Sequence, residues 1–223
     1  VIAISSFIKN HIISNYKVDE NRIVTIPRGI DTSIFNSNNV SNERLINLTN
    51  KFNIPEDAHV ILLPGRLTRW KGHILLIEAI AKLKRKNLLC LFVGDSQGRK
   101  KYVKELFNLI NQYKLTKNFR IIENQTDMST IYKLADIVVS SSTDPEAFGR
   151  VIAEAQAMGR LTIAANHGGA PEIIVNGTTG WLFEVNNSTD LAKKIDYALK
   201  INSEDRNIMA IKSIERTNKY FNN

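Results

Sequence analysis

Short apolar runs alternate with segments of helical periodicity along most of this chain, and that alternation constrains the fold most. The apolar runs lie at 23–26, 59–63, 88–93, 119–122, 137–139 and 161–164. Between them, apolar residues recur at helical spacing, as in the segments 74–83, 103–110 and 152–157. Strands of about five residues that alternate with helices predict βαβ units. We therefore predict an α/β fold with at least five parallel strands between residues 59 and 185, flanked by helices.

Composition excludes several other classes of protein. The chain has 223 residues, of which 43% are hydrophobic and 23% are charged. These values are ordinary for a globular protein and argue against disordered, collagen-like and low-complexity sequences. The longest apolar run, Leu88–Val93, is too short to span a bilayer. Cys90 is the single cysteine, which excludes an intrachain disulfide and a cysteine-based zinc site, and we expect it to be a buried, inert core residue.

From its first residues we expect this sequence to be a piece of a longer protein. The sequence does not begin with methionine, and its first residues, Val1–Ile4, already have the pattern of a strand. A helix over about 6–16 and a second strand follow. The polar stretch 36–42 is typical of a linker. A final amphipathic helix is expected to begin with Ser203 as its N-cap.

Positive charge is concentrated in one part of the sequence. The net charge is +8, and residues 82–104 contain eight basic side chains against the single acid Asp95, a net +7. Such a surface suits phosphorylated ligands, an anionic membrane or nucleic acid, and a solvated helix face is the alternative. Nucleic-acid binding requires one continuous patch with exposed aromatic residues. We expect clusters 82–86 and 99–104 to lie at opposite ends of the sheet, so we predict no nucleic-acid partner.

The loop that follows the run 59–63 carries candidate phosphate ligands. Gly65 and Gly72 bracket the cations Arg66, Arg69 and Lys71, and a helix follows. Arginine and lysine side chains and a helix N-terminus all favour phosphate groups. The pattern is not that of a P-loop. Spacing alone leaves two interpretations open, phosphate binding and a solvated basic turn.

Two acids and a pair of glycines mark the loops farther along the chain. Gly149 is expected to open a helix whose free N–H groups can hold an anion. Glu146 and Glu154, eight positions apart, could each accept hydrogen bonds from a vicinal diol, or be a first-turn helix acid and a surface residue. Glu154 stands among alanine and isoleucine residues, so it needs a partner if it is buried. Gly168 and Gly169 would allow either close approach to a ligand or a tight connection.

Together these motifs resemble those of the C-terminal, donor-binding half of retaining glycosyltransferases of family 4, which have the GT-B architecture. The matching segments follow the family's order and cover nearly the whole chain: 23–31, 65–72, 92–95, 135–142, the E-x7-E pair Glu146 and Glu154, 168–172 and 176–182. The resemblance implies a Rossmann-like parallel sheet. It also implies that residues 1–36 are the end of a missing N-terminal domain with its interdomain linker, and that residues 37–223 form the nucleotide-sugar-binding domain.

The resemblance assigns roles to individual residues. Arg66 and Lys71 would hold the donor diphosphate and stabilise the leaving nucleotide. Glu146 would contact the sugar hydroxyls, and Glu154 would bind the ribose. The further residues implied at the donor are Gly65, Phe148, Gly149, Arg150 and Val151 around the sugar and distal phosphate, and Asn124, Gln125 and Thr126 beside the base.

The same resemblance implies a reaction. A sugar, most simply a hexose, would pass from a nucleotide-sugar to a glycan or lipid-linked acceptor in bacterial envelope polysaccharide or lipopolysaccharide synthesis. The enzyme would be cytoplasmic, with peripheral contact with the anionic inner membrane face as a further expectation. We expect no metal and no cofactor, because there is no D-x-D motif and Arg66 with Lys71 would compensate the charge on the leaving diphosphate. The acceptor-side glycine-rich loop and histidine are missing, and Arg28 stands where asparagine is commoner, so we expect the fragment alone to bind the donor without turnover.

Rival functions remain open to different degrees. An isolated nucleotide-binding module is one alternative, and another GT-B enzyme, such as a nucleotide-sugar epimerase or an inverting transferase, is a second. The E-x7-E spacing disfavours the second. A dinucleotide oxidoreductase would need G-x-G-x-x-G after its first strand, and residues 64–69 do not provide it.

Overall fold

The computed structural model describes residues 1–222; Asn223, the last residue of the predicted second domain, lies outside the described residues. The strands of this part of the chain are β1 (Ile2–Ala3), β2 (Val24–Thr25), β3 (His59–Pro64), β4 (Leu88–Val93), β5 (Phe119–Ile122), β6 (Ile137–Ser140), β7 (Leu161–Ala165) and β8 (Trp181–Phe183). The α-helices are α1 (Ser6–Tyr16), α2 (Asn42–Lys51), α3 (His73–Leu83), α4 (Lys100–Gln112), α5 (Met128–Leu134), α6 (Arg150–Ala157), α7 (Ala170–Ile173), α8 (Ser188–Lys200) and α9 (Ser203–Tyr220).

Six strands form one parallel sheet in the order β5-β4-β3-β6-β7-β8. This confirms the predicted α/β class. The chain winds outward from β3 to β5 in one direction and from β6 to β8 in the other. The loops that leave β3 and β6 therefore diverge, and a crevice opens between them at the carboxyl ends of the strands, where open α/β sheets bind ligands.

Helices cover both faces of this sheet. In β3, Ile61 and Leu63 belong to the core cluster that includes residues of α3, α4 and α8. Val60 and Leu62 belong to the cluster on the other face, which includes residues of α5. Burial on both faces explains why the central strands are continuous apolar runs. Cys90 lies fully buried in β4, and burial raises the pKa of its thiol, as expected for an inert core residue.

The N-terminal segment forms a small unit of its own. β1 and β2 pair in parallel, with Ile2 opposite Val24, and α1 has the predicted bounds. The Glu172 carboxylate accepts hydrogen bonds from the backbone N–H groups of Ser6 and Phe7, at 2.8 Å each. This carboxylate thus caps α1 from a distant part of the chain, where the helix dipole favours negative charge.

Two local predictions can be compared with the structure, and one of them was wrong. The polar stretch 36–42, predicted as a linker, contains a short 3-10 helix, Ser37–Asn39, and Val40 is only 3% exposed in the core. The N-cap of α9 is Asn202 rather than Ser203, because the Asn202 side chain accepts the hydrogen bond from the N–H of Asp205 at 2.8 Å. Asparagine and serine are comparably good caps, so composition does not separate them.

The basic clusters lie where the sequence placed them. Residues 84–86 precede β4, and residues 99–104 follow its carboxyl end, so the two clusters are at opposite ends of the sheet. Within residues 1–222, no helix is both long enough and apolar enough to cross a membrane.

Candidate functional site

Two adjoining cavities occupy the carboxyl edge of the sheet. The larger, of about 1280 Å³, is lined by parts of the loops after β3, β4 and β5 and by the start of α6. The smaller, of about 510 Å³, lies between the loops after β3 and β6. Their common wall includes Gly65, Arg66 and Arg150, together with Arg28 from the N-terminal segment. With the exception of Gln125, the predicted site residues thus line the predicted crevice.

The loops that leave β3 and β6 touch directly at Gly72. A Cβ atom at this position would lie 1.8 Å from the carbonyl oxygen of Ser141, and its φ of +74° is a conformation that side chains disfavour. The Ser141 hydroxyl also donates to the Gly72 carbonyl at 2.9 Å. This contact fixes the distance between the cations of one loop and the acid of the other.

Lys71 and Glu146 form a largely buried ion pair across the crevice. The Lys71 Nζ lies 2.8 Å from the Glu146 Oε1, and the two side chains are only 11% and 16% exposed. Glu146 also accepts hydrogen bonds from Ser142 at 2.5 Å and Ser140 at 3.2 Å. Burial alone would raise the pKa of Glu146, but the charge of Lys71 and these hydrogen bonds outweigh it and lower the pKa. Glu146 is therefore ionised at neutral pH.

Arg66 and Lys71 provide positive charge at the two cavities. Arg66 is exposed and lines both cavities, and its side chain makes no hydrogen bond with any other residue that the structure describes. Lys71 lies 4.5 Å from the centre of the Trp70 ring. An ammonium group has three donors, and Glu146 takes one of them. Arg66 and Lys71 can therefore both bind an anion at the junction of the cavities.

The first turn of α6 adds backbone donors to this junction. Gly149 is the N-cap, with φ of +102°, and has no side chain to cap the helix. The first N–H of this helix that finds a backbone acceptor among the described residues is that of Ile152, which donates to Gly149. The N–H groups of Arg150 and Val151 have no backbone acceptor among the described residues, as at any uncapped helix start, and can donate to a ligand. Such groups bind phosphate well.

Glu154 is buried and has the partner that its surroundings require. It is 6% exposed, and its Oε2 accepts a hydrogen bond at 2.7 Å from the hydroxyl of Tyr132, which is fully buried. Its Oε1 accepts from the Arg150 guanidinium at 2.9 Å. Burial and the Glu154 charge raise the pKa of Tyr132 well above its usual value, so the hydroxyl stays a donor. Oε1 also accepts from the Arg150 Nε at 3.2 Å, whereas Oε2 has Tyr132 as its one donor among the described residues and retains a lone pair for a ligand.

The structure favours the second interpretation of the glycine pair, a tight connection. A Cβ atom at Gly168 would lie 2.4 Å from the carbonyl oxygen of Glu146, and one at Gly169 would lie 2.4 Å from that of Phe148. The Gly169 N–H donates to Glu146 O at 2.8 Å. Gly168 and Gly169 therefore pack directly against the backbone of the loop that carries Glu146. Phe148 is buried and lines the smaller cavity.

The far end of the larger cavity contains most of the predicted base-binding turn. Asn124 and Thr126 line it. Gln125 lines neither cavity: its amide nitrogen donates to the carbonyls of Glu123 and Asn124, and its oxygen accepts from Lys51 at 3.2 Å. The structure thus does not bring the Gln125 side chain to the site, and a role for its backbone stays a prediction.

Sequence reasoning missed several residues that shape the site. No sequence pattern indicates Tyr132, although the sequence does indicate that a buried Glu154 needs a partner. Ser140 and Ser142 belong to the run of serines before Glu146. This run is the sequence pattern that could have indicated them. Segment 28–35 lines the larger cavity, where Phe35 packs edge-on against Tyr132 with ring centres 5.8 Å apart.

His73 lies behind the site rather than in it. It is fully buried, and its Nδ1 lies 3.4 Å from the Tyr102 hydroxyl. Burial, with the nearby charge of Lys71, lowers the pKa of His73 to about 4. His73 is therefore uncharged at neutral pH and belongs to the core. Residues 1–222 contain no group of three or more His, Cys, Asp or Glu side chains that could hold a metal ion.

Comparison with known proteins places this site in a family. Residues 46–216 match the family described as Glycosyl transferases group 1. Lipopolysaccharide 1,2-N-acetylglucosaminetransferase of Salmonella typhimurium is 32% identical over 161 residues, which are 69% of this chain and 42% of that protein.

Two of the similar solved structures, each matched over the whole of this chain, illustrate the likeness. A glycosyltransferase from Rickettsia africae has a TM-score of 0.97 and 39% identity, and Anabaena HepE, in complex with UDP and glucose, has a TM-score of 0.91 and 27% identity. The chain covers 59% of each. It therefore spans about half the length of the relatives it matches. From the family match, the fold and these likenesses together, the chain belongs to the group 1 glycosyltransferases and has the fold of the C-terminal half of a GT-B enzyme.

Proposed function

We propose that this chain is the donor-binding half of a retaining glycosyltransferase that transfers a sugar from a nucleotide-sugar to a glycan or lipid-linked acceptor. One observation carries the proposal. Two cations, an uncapped helix start and two carboxylates converge where the loops after β3 and β6 diverge. The solved structures of HepE contain UDP, UDP with glucose, and UDP-glucose, which supports a nucleotide-sugar donor here.

The way the residues divide between the two cavities supports a division of roles. Glu154 lies in the larger cavity with Asn124 and Thr126, which suits a nucleoside. Glu146 lies in the smaller cavity, which suits the transferred sugar. Arg66 lines both, so the diphosphate that joins the two moieties would lie at the common wall.

Charge at the common wall would drive departure of the nucleotide. Negative charge builds on the diphosphate as the bond to the sugar breaks, and Arg66, Lys71 and the N–H groups of α6 would stabilise it there. Each charge-assisted hydrogen bond contributes about 1.5–3 kcal/mol. Lys71 would divide its donors between the diphosphate and Glu146, and Glu146 would hold the sugar hydroxyls. We propose this role without a metal ion.

The finer identity of the reaction is also part of the proposal. The Salmonella relative is a lipopolysaccharide N-acetylglucosaminetransferase, which supports an acceptor of the bacterial envelope. We propose a cytoplasmic enzyme at the inner membrane face, in which a second domain holds the acceptor. An acceptor held in attack geometry contributes up to about 7–11 kcal/mol. Residues 1–223 alone should therefore bind the donor but not complete transfer.

A pair of matched glutamine variants tests the division of roles. Calorimetric titration with UDP and UDP-glucose, alongside the GDP and ADP counterparts, would first identify a bound nucleotide. Glu154→Gln should then weaken the nucleoside diphosphate and its sugar conjugate alike, by about tenfold or more. Glu146→Gln should weaken only the conjugate. Equal losses for both variants with both ligands would refute the division.

A further inference from the structure

The Arg150 side chain occupies part of the carboxylate that would hold the nucleoside. Its guanidinium donates two hydrogen bonds to one oxygen of Glu154, from Nη2 at 2.9 Å and from Nε at 3.2 Å, both to Oε1. Glu154 is buried, whereas the Arg150 side chain is 53% exposed. The mobile member of this ion pair is therefore the arginine.

The hydrogen bonds that Glu154 already accepts leave too little room for a vicinal diol. A carboxylate offers about four acceptor sites. Arg150 takes two of them at Oε1, and the Tyr132 hydroxyl takes one at Oε2, at 2.7 Å. Among the described contacts, one site at Oε2 remains, but the two hydroxyls of a ribose need two. Tyr132 is fully buried, so Arg150 is the partner that can release Glu154.

The ion pair has an arrangement that favours its release. Arg150 is the first residue of α6, and Glu154 follows four positions later. A cation at the start of a helix opposes the helix dipole, and such a pair is more stable when the acid precedes the base. Exposure of the guanidinium weakens the pair further. An anion near the first turn of α6 therefore competes well with Glu154 for this side chain.

The proposed position of the diphosphate is close to Arg150. The residue lines both the larger and the smaller cavity, which together are the donor cavities of the proposed function. The Cα–Cβ bond of a helical residue points toward the helix N-terminus, where the N–H groups of Arg150 and Val151 have no backbone acceptor among the described residues. Rotation about side-chain bonds is therefore enough to move the guanidinium from Glu154 toward the common wall.

From these observations we infer, on the basis of the proposed donor site, that Arg150 is a switch between the Glu154 carboxylate and the diphosphate. A diphosphate at the common wall draws the guanidinium away and frees Oε1 for the second ribose hydroxyl. A nucleoside without phosphates finds that oxygen occupied. Arg150 thus makes the site select nucleoside diphosphates over nucleosides. Arg66 and Lys71 make no hydrogen bond with Glu154 in the described structure, so they do not provide this coupling.

A comparison of a nucleoside with its diphosphate tests the switch. Uridine and UDP are the probes, or the guanosine or adenosine pair if the nucleotide screen selects GDP or ADP. Arg150→Met keeps an unbranched side chain but has no donor for either partner. Uridine should bind more tightly to this variant in ligand-detected NMR titration, and UDP should bind more weakly in calorimetry. We expect the ratio of the two dissociation constants to fall at least about tenfold.

Two matched variants show what other losses of charge would do. Arg66→Met should weaken UDP and leave uridine unchanged, because Arg66 binds phosphate without blocking Glu154. Lys200→Met should change neither affinity. It removes the cation of another pair four positions apart, Lys200 with Asp196, which lies outside the donor cavities.

The wild type provides a second measurement that needs no variant. Inorganic phosphate, compared with potassium chloride at matched ionic strength, should tighten uridine binding at least about fivefold, because phosphate near α6 draws Arg150 from Glu154. Without the switch, an anion gives no advantage to an uncharged nucleoside.

The results separate a failure of the switch from a failure of the donor site. The switch alone is overturned if the wild type binds UDP but Arg150→Met weakens uridine or leaves it unchanged. The absence of coupling between phosphate and uridine in the wild type overturns it as well. A wild-type protein that binds none of UDP, GDP and ADP refutes the donor site, and the switch with it.

Discussion

Replacing Glu146 by glutamine should destabilise the ligand-free protein and increase its stabilisation by pyrophosphate. The substitution keeps the shape of the side chain and removes its charge. Lys71 then remains 11% exposed beside a neutral amide. A mostly buried cation that loses its acidic partner is costly, because no opposite charge then compensates it in low-dielectric surroundings.

The structure sets the size of this effect. Breaking a buried ion pair costs about 3–5 kcal/mol. Here the glutamine oxygen still accepts hydrogen bonds, so we expect a loss of about 2–3 kcal/mol. For a protein of this size each kcal/mol lowers the melting temperature by about 2–4 °C, which gives a fall of about 4–12 °C. The pKa of Glu146 is lowered from 4.5, so the stabilisation is present above pH 4.5 and is lost as the pH falls through the lowered value.

Thermal unfolding monitored by circular dichroism at pH 7 measures the loss, and a surface ion pair supplies a matched control. Lys9 and Glu20 are also 2.8 Å apart, but Glu20 is 68% exposed. Glu20→Gln should therefore cost less than about 1 kcal/mol. Pyrophosphate, which needs no particular base, should raise the melting temperature of Glu146→Gln more than that of the wild type, because it restores an anion beside Lys71.

Two results would refute this reasoning. One is an equal loss of stability for Glu146→Gln and Glu20→Gln, which would mean that burial of the pair has no energetic consequence. The other is an equal pyrophosphate response in the variant and the wild type, which would mean that Lys71 does not bind the diphosphate.

Three further predictions follow from contacts around the site. Gly72→Ala should lower the free energy of unfolding by at least about 2 kcal/mol more than Gly177→Ala in chemical denaturation, because both positions have similar positive φ values but only the first has a neighbour within 4 Å of a new Cβ; equal losses would contradict the loop contact. Tyr132→Phe should weaken nucleoside diphosphate binding about tenfold in calorimetry, because Glu154 loses a hydrogen bond that orients it; unchanged affinity would argue against that role. The pKa of His73 falls from 6.5 to about 4 on folding, so its contribution of about 3 kcal/mol should be lost as the pH falls from about 6.5 to about 4, and His73→Gln should flatten the stability profile in that range; a parallel profile would be inconsistent with a buried neutral imidazole.

The fold was predictable to the extent that its signals are local. Burial on both faces makes β3 and β4 continuous apolar runs, and their alternation with amphipathic helices fixes the α/β class. The strand order was not predicted, because β3 pairs with β6 across 76 positions, Ile61 with Ile137, and no local pattern reports such a contact. Val40 shows the same limit, because one apolar residue in a polar stretch does not reveal the core that receives it.

The charged residues of the site were predictable from the sequence, but the ion pairs and hydrogen bonds between them were not. Arg66, Lys71, Glu146 and Glu154 stand in loops whose position follows from the parallel sheet. The direct pairing of Lys71 with Glu146 depends on loop contacts that the sequence does not show. The same holds for Glu172, whose carboxylate caps a helix more than 160 positions away.

The central claim is that Arg66 and its neighbours bind the diphosphate of a nucleotide without a metal ion. Calorimetric titration of UDP, GDP and ADP in the presence of EDTA tests it most directly, with Arg66→Ala beside Lys117→Ala, an exposed lysine outside both donor cavities. We predict saturable binding of at least one nucleotide, weakened about 10- to 100-fold by Arg66→Ala and unaffected by Lys117→Ala. Unchanged affinity in Arg66→Ala, or binding that EDTA abolishes, would contradict the account.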